Sequence, residues 1–231
     1  DKRVILEGVC LNASHEIVDP ANELLLAIQG EGDDHAGTQI WSGGYFQDWP
    51  EPYSSCFLIR PGDRVRVEGY VAQFIGKSNV NEQHSPDPAR DFTVQVIGHP
   101  GMPVPVVVPD LLTANLFDPS RLTGGEYYQS RWVRINNVTL QPGSSLNWQS
   151  GQTVTVNDGT AELQMMLSAM GNFNPDLAPS GSFDVVGLFD QEPFPLNFDA
   201  SRKEHYRLWV KRQEHILPAG SPFIVSAVSR K

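Results

Sequence analysis

Arg64-Val-Arg-Val-Glu-Gly-Tyr-Val-Ala-Gln73 and Ser182-Phe-Asp-Val-Val-Gly-Leu-Phe-Asp-Gln191 follow one pattern, about 118 residues apart. Each alternates apolar and polar residues, breaks at one glycine, resumes the alternation and ends on glutamine. Val65, Val67, Gly69 and Val71 fall opposite Phe183, Val185, Gly187 and Phe189. Alternation of period two marks a strand with one buried face, and the shared glycine predicts a bulge or sharp coil within it. A repeat this long exceeds a solenoid unit and suits two copies of a small β-domain.

With that register fixed, more of the repeat emerges. Val4, Leu6, Val9 and Leu11 align with Val133, Ile135, Val138 and Leu140, and Leu26 and Ile28 align with Val154 and Val156. Each second strand then enters a polar turn, Gln29-Gly-Glu-Gly32 or Asn157-Asp-Gly-Thr160. Phe92-Thr-Val-Gln-Val-Ile97 aligns with Tyr206-Arg-Leu-Trp-Val-Lys211 as the final strand. The expected class is therefore all-β. Helix signals are few: 109–116 predicts a short helix, whereas Leu163, Met165 and Leu167 alternate as the third strand of the second copy.

These segments predict a first domain over residues 1–100 and a second over 127–218. Residues 101–126 read as an extended, proline-rich linker with the short helix, from Gly98-His-Pro-Gly-Met-Pro-Val-Pro105 onward. Residues 219–231 read as a linker into a downstream segment, with Phe223-Ile-Val-Ser-Ala-Val228 a strand-like run lacking a partner strand. The expectation is one segment of a larger polypeptide, whose downstream domain would be its neighbour. No run approaches the roughly 20 apolar residues of a membrane-spanning helix. Cys10 and Cys56 fit either one disulfide or two buried thiols.

Charge bears on function. The chain carries a formal net charge of -10, and residues 1–100 hold 15 acids against 7 bases. A protein whose affinity comes from neutralising phosphates is expected to be basic. The first repeat is the reverse, while the second holds a basic cluster of Arg202, Lys203, Arg207, Lys211 and Arg212.

The strand order and Pro61-Gly-Asp-Arg-Val-Arg-Val-Glu-Gly-Tyr-Val71 resemble the oligonucleotide/oligosaccharide-binding (OB) fold, a five-stranded Greek-key barrel. The likeness is to tandem domains of bacterial extracytoplasmic, nuclease-associated proteins. Asp158-Gly-Thr160 sits where such domains carry a turn after strand two, and Gly30-Glu-Gly-Asp-Asp-His-Ala-Gly37 departs as a longer acidic turn. The resemblance covers residues 1 to about 217 and implies two tandem five-stranded barrels and an extracytoplasmic setting (secreted, periplasmic or cell surface). It does not specify a ligand. Seven or more short strands also fit a β-sandwich.

In that fold the face of strands two and three binds ligands, with aromatic side chains stacking on bases. The first copy places Trp41, Tyr45, Phe46, Trp49 and Tyr53 there, either as a stacking platform or as a flap folded on the barrel. In the second copy, alternation turns Tyr206, Leu208 and Val210 inward and Arg207, Trp209 and Lys211 outward, with Trp132 and Arg134 likewise outward beside Val133 and Ile135. Tryptophan between cations suits nucleic acid, and equally a domain contact with cations at its rim.

Catalytic signals are sparse. His15, His35, His84, His99, His205 and His215 form no close pair at metal-ligand spacing. Glu31-Gly-Asp-Asp-His35 lacks the ligand series of a known calcium loop, and no nucleophile elbow or phosphate-cradling glycine loop occurs. Asn79-Val-Asn-Glu-Gln-His-Ser85 is polar without an assignable reaction. The expectation is a module without enzymatic activity, metal or cofactor, serving as an interaction or spacer unit. Single-stranded nucleic-acid binding and glycan binding stand as alternatives.

Overall fold

A computed structural model describes residues 2–18, 23–32, 36–42, 53–83, 85, 87–193 and 195–222. The described chain is all-β, with two closed five-stranded barrels and two short α-helices. The described residues fall into two compact units, one within 1–74, 78–104 and Pro222, the other within 75–77 and 105–221.

In the first barrel β1 (Arg3–Cys10), β2 (Leu24–Gln29), β3 (Gly37–Ser42), β4 (Arg64–Phe74) and β5 (Lys77–Asn81) close in the order β1-β2-β3-β5-β4-β1. β1 pairs antiparallel with β2 and β4, and β2 with β3, whereas β3 and β5 pair in parallel, Gln39 facing Asn79 and Ile40 facing Val80. β6 (Thr93–Gly98) adds to β4 beyond the barrel. The expected final strand, 92–97, is thus not the one that closes the first barrel. Closure falls to β5, which overlaps the polar stretch from Asn79 that sequence reading does not mark as a strand. Its polarity hid a strand whose Lys77, Asn79 and Asn81 are all buried.

The second unit repeats this order. β7 (Val106–Val108) precedes β8 (Trp132–Leu140), β9 (Thr153–Asn157), β10 (Glu162–Leu167), β11 (Phe183–Gln191), β12 (Tyr206–Val210) and β13 (Ile216–Pro218). Closure runs β8-β9-β10-β12-β11-β8, with β12 parallel to β10 and β13 flanking β11 as β6 flanks β4. This circuit is compatible with an OB-like barrel, and the closed rings exclude facing open sheets.

The shared glycine serves close approach rather than a bulge. A β-carbon at Gly69 would lie 2.6 Å from Val80 Cγ1, and one at Gly187 would lie 2.5 Å from the Trp209 carbonyl oxygen. In both copies the glycine therefore sits where the closing strand crosses, so a side chain would hold the ring open. The register shifts lie elsewhere, between Arg64 and Val65 and between Phe183 and Val185. Past the glycine the copies diverge. Val71 is 43% exposed, whereas Phe189 at the equivalent place is fully buried. The β1–β4 ladder ends at Arg3 opposite Tyr70, so β4 continues with less strand cover.

Residues 105–126 depart from the linker expectation, because they group with the second barrel. β7 pairs in parallel with β8, Val106 opposite Val133. Helix α1 (Leu111–Ala114) is capped by Asp110, whose side chain accepts from Thr113 N at 2.6 Å. Asp158 Oδ2 accepts from Leu111 N at 2.8 Å and Thr160 Oγ1 from Leu112 N at 3.1 Å. The Asp-Gly-Thr turn thus satisfies helix N–H groups that have no partner within the helix itself. Helix α2 (Gly124–Tyr128) packs its Gly125 against the Tyr206 ring.

Each barrel has its own core. The first gathers Cys10, Leu24, Leu26, Ile28, Ile40, Val65, Val67 and Phe92 with Cys56. Cys10 and Cys56 are both buried as thiols, not as the disulfide that the sequence allowed. Cys10 Sγ contacts Asn12 O at 3.1 Å. The second core is larger and aromatic. Trp148 is fully buried between Phe173 and Phe183 in edge-on contacts of 6.0 and 6.2 Å, and its Nε1 donates to Gln213. Burying one such large apolar side chain contributes roughly 1.5–3 kcal/mol, which explains how a barrel with little helix stays closed.

Candidate functional site

The cationic strand of the second barrel lies on the face that alternation assigned, but it is not presented to solvent. Tyr206, Leu208 and Val210 enter the core. Arg207 is 2% exposed and Lys211 4%, while Trp209 is half-buried. The acid between them is Asp190 on β11. Its Oδ2 accepts from Arg207 Nε at 2.8 Å and from Trp209 Nε1 at 2.9 Å. Arg207 Nη2 also reaches Glu192 at 3.2 Å, and its guanidinium lies 4.9 Å from the Trp209 ring centroid. Lys77, within the segment that groups with this unit, meets Asp190 at 3.2 Å and Glu192 at 2.7 Å. Two cations and two carboxylates therefore neutralise one another. Burial alone would raise the Asp190 carboxyl pKa, but Lys77 and Arg207 more than offset it and hold the group far below the usual carboxylate range.

Trp132 and Arg134 correct the outward expectation similarly. Trp132 is 2% exposed, with Lys211 Nζ 5.1 Å from its ring centroid and His215 edge-on at 5.2 Å. Arg134 is held by Asp184 at 2.5 Å, by Asn136 and by the Ser221 carbonyl. Every residue of β11 is buried, including Asp184 and Asp190. Period-two alternation distinguishes the two sides of a strand, but it does not report that both are covered.

In the first unit Trp41 stands on β3, half-buried, with Nε1 donating to Glu23 at 3.3 Å. Tyr45, Phe46, Trp49 and the side chain of Tyr53 lie outside the described residues, as do Asp33, Asp34, His35, His84 and the run 223–228.

The structure adds a cleft that the sequence did not suggest. It lies on β9 and β10 of the second barrel, under the loop from β11 to β12, with a volume of about 550 Å³. Thr155, Glu162 and Gln164 form its floor, and Pro195, Leu196 and Asn197 line its wall. Gln164 is opposite Thr155 on β9 and Arg207 on β12, which fixes the floor's register.

Buried Gln191 pins the base of the loop. Its Nε2 donates to the carbonyls of Arg202 and Glu204, each at 3.0 Å, and its Oε1 accepts from Gln129 at 2.8 Å. Glu192 N closes the loop onto His205 O at 2.9 Å. The glutamine ending both quoted stretches therefore has this role in the second copy, whereas Gln73 is exposed.

Tyr206 ends the cleft. Its hydroxyl donates to Glu126 at 2.9 Å and its ring stacks on Phe189 at 5.9 Å. Burial, with the Glu126 carboxylate, pushes its phenol pKa well above the usual range.

The residues that sequence reading missed are the acids, Asp184, Asp190 and Glu192, and the loop 192–205. Asp184 and Asp190 lay in the quoted strand itself, and charged residues in a run buried on both faces would have signalled internal pairing. Comparison with protein-family models, curated proteins and solved structures gives no match.

Proposed function

We propose that this chain is a non-catalytic interaction module, built of two OB-type barrels and spacing other parts of a larger polypeptide. The second barrel makes the contact, through the cleft on β9 and β10. In this reading the parent protein works outside the cytoplasm of a bacterium, which rests on the resemblance carried by residues 61–71. The observation that carries the proposal is the cleft: a concavity of about 550 Å³ with polar groups on a strand floor and an anchored loop as its wall. That size and mixture suit recognition of a ligand.

Support for a non-catalytic role comes from Asp190. Its strongly perturbed carboxyl is saturated by Lys77, Arg207 and Trp209, so it is engaged structurally rather than poised for proton transfer. Nucleic-acid binding loses its main support for the same reason, because the Arg207 charge is already neutralised.

The test is selection of a displayed random-peptide library on the immobilised chain, in parallel with Gln164→Tyr, which fills the cleft floor. Enrichment on the wild-type chain and its loss on the variant are expected. Enrichment insensitive to the variant would remove the cleft from the proposal. Salt-sensitive micromolar binding of a labelled single-stranded oligonucleotide, at physiological as well as low salt, would replace it with the nucleic-acid reading.

A further inference from the structure

Among the described residues that line the cleft, Glu162 is the one carboxylate and none is a lysine or arginine. It is exposed, and among the described residues no ion pair forms at its carboxylate. Three bases near the cleft do not line it: Arg202 offers its carbonyl to Gln191, Lys203 Nζ stands 5.3 Å from the Phe117 ring centroid, and Arg207, opposite Gln164, is paired with Asp190 and Glu192. A phosphate entering here would meet the Glu162 carboxylate and no lysine or arginine among the described lining residues.

The cleft also suits sugars poorly. Among the described lining residues the aromatic side chain is Tyr206, 5% exposed, stacked on Phe189 and tied by its hydroxyl to Glu126, so its ring offers no stacking platform. The described apolar groups of the wall are Pro193, Pro195 and Leu196. Leu196 is 49% exposed beside Pro195. Gln164 and Thr155, alongside Glu162, supply hydrogen-bonding groups at strand spacing along the floor.

We propose that the cleft takes an extended peptide segment of a partner protein, its lysine or arginine set against Glu162 and its apolar neighbours against the Pro195–Leu196 wall. This rests on the cleft being the module's contact site. An acid on the floor, the exposed Leu196 beside Pro195, and no lysine or arginine among the described lining residues complement that ligand class and disfavour an acidic one. Glu162 here selects the ligand, while the wall supplies the apolar contact.

Three pools of end-capped, fluorescently labelled nonapeptides test this, with the central residue fixed as Lys, Gln or Glu and the other positions randomised among apolar and small residues. Fluorescence polarisation with the full chain should rank them Lys, Gln, Glu, with about a threefold step from Lys to Gln in low salt, as expected for one exposed ion pair. Glu162→Gln should erase that preference and Glu162→Lys should invert it. Equal binding of the three pools, or a lysine preference that survives in Glu162→Gln, overturns the assignment of ligand class while leaving the cleft as a contact site. Failure of all pools to bind the wild-type chain overturns the class and the contact site together.

Discussion

Gly187→Ala should unfold the second barrel under conditions in which the parent chain is stable. An alanine β-carbon there would lie 2.5 Å from the Trp209 carbonyl oxygen, about 0.9 Å inside the 3.4 Å at which ordinary contact begins, and 2.8 Å from Leu208 Cγ. The nearest obstacle is backbone, so no rotamer change relieves it. β12 must retreat from β11, loosening the ladder in which Leu188 faces Trp209 and Phe189 faces Leu208. Overpacking of this kind costs about 1–3 kcal/mol, and one weakened ladder hydrogen bond adds about 1 kcal/mol. The reduced entropy of the unfolded chain returns roughly 0.4–1 kcal/mol.

The net loss is about 1–4 kcal/mol, and its midrange of about 2–3 kcal/mol lowers a urea midpoint by roughly 1–2 M for a domain of this size. Tryptophan fluorescence reads it directly, since Trp132 and Trp148 are both buried in that barrel. Gly181→Ala is the control: nothing lies within 4 Å of its added carbon, so the change should be neutral or slightly stabilising. Gly69→Ala should fall between them, because Val80 Cγ1 is a side-chain atom that can turn away while Phe92 Cβ at 2.8 Å is less free to move. If Gly187→Ala and Gly181→Ala melt together, the reading of this glycine as the crossing point is wrong.

Asp190→Asn leaves Arg207 and Lys77 buried without their main counter-charge and should cost about 3–5 kcal/mol by urea denaturation; a loss under 1 kcal/mol would show that the cluster is solvated. Because the folded Asp190 pKa is depressed below its unfolded value, its contribution is present above about pH 4 and fades as pH falls further. The wild-type chain should therefore lose more stability than Asp190→Asn between about pH 5 and pH 2, and parallel curves would refute the assignment. Tyr206→Phe removes the donor to Glu126 and should cost about 1–3 kcal/mol. With the folded phenol pKa raised, the tyrosine contribution holds below about pH 10 and declines above it, so alkaline melting of the variant should depend less on pH than that of the parent.

Much of the fold was legible because β-strand periodicity is local. Val65 and Val67, like Val185 and Phe189, alternate in the chain as they alternate across the strand, and all four are fully buried. The strand reading of Leu163, Met165 and Leu167 came from the same rule, and they enter the second core. β5 escaped it because Lys77, Asn79 and Asn81 are polar residues at buried positions, which makes a barrel strand resemble a loop. The candidate site was less legible still. Arg207 and Trp209 read as a binding strip since nothing local announces that Asp190, seventeen residues earlier than Arg207, stands beside them.

By itself, then, the sequence determined that this chain is all-β and built twice on one strand pattern, because alternation and turn residues act over a few neighbours. Where the rings close, which glycine clears the crossing strand, which cations are neutralised and where a cleft opens were decided only by tertiary structure. Those outcomes depend on pairings between distant segments, such as Gln164 with Arg207 and Gln191 with the loop it anchors. Two chains with the same alternation can differ in every one of them, because local periodicity fixes the face of a strand and long-range packing fixes what that face meets.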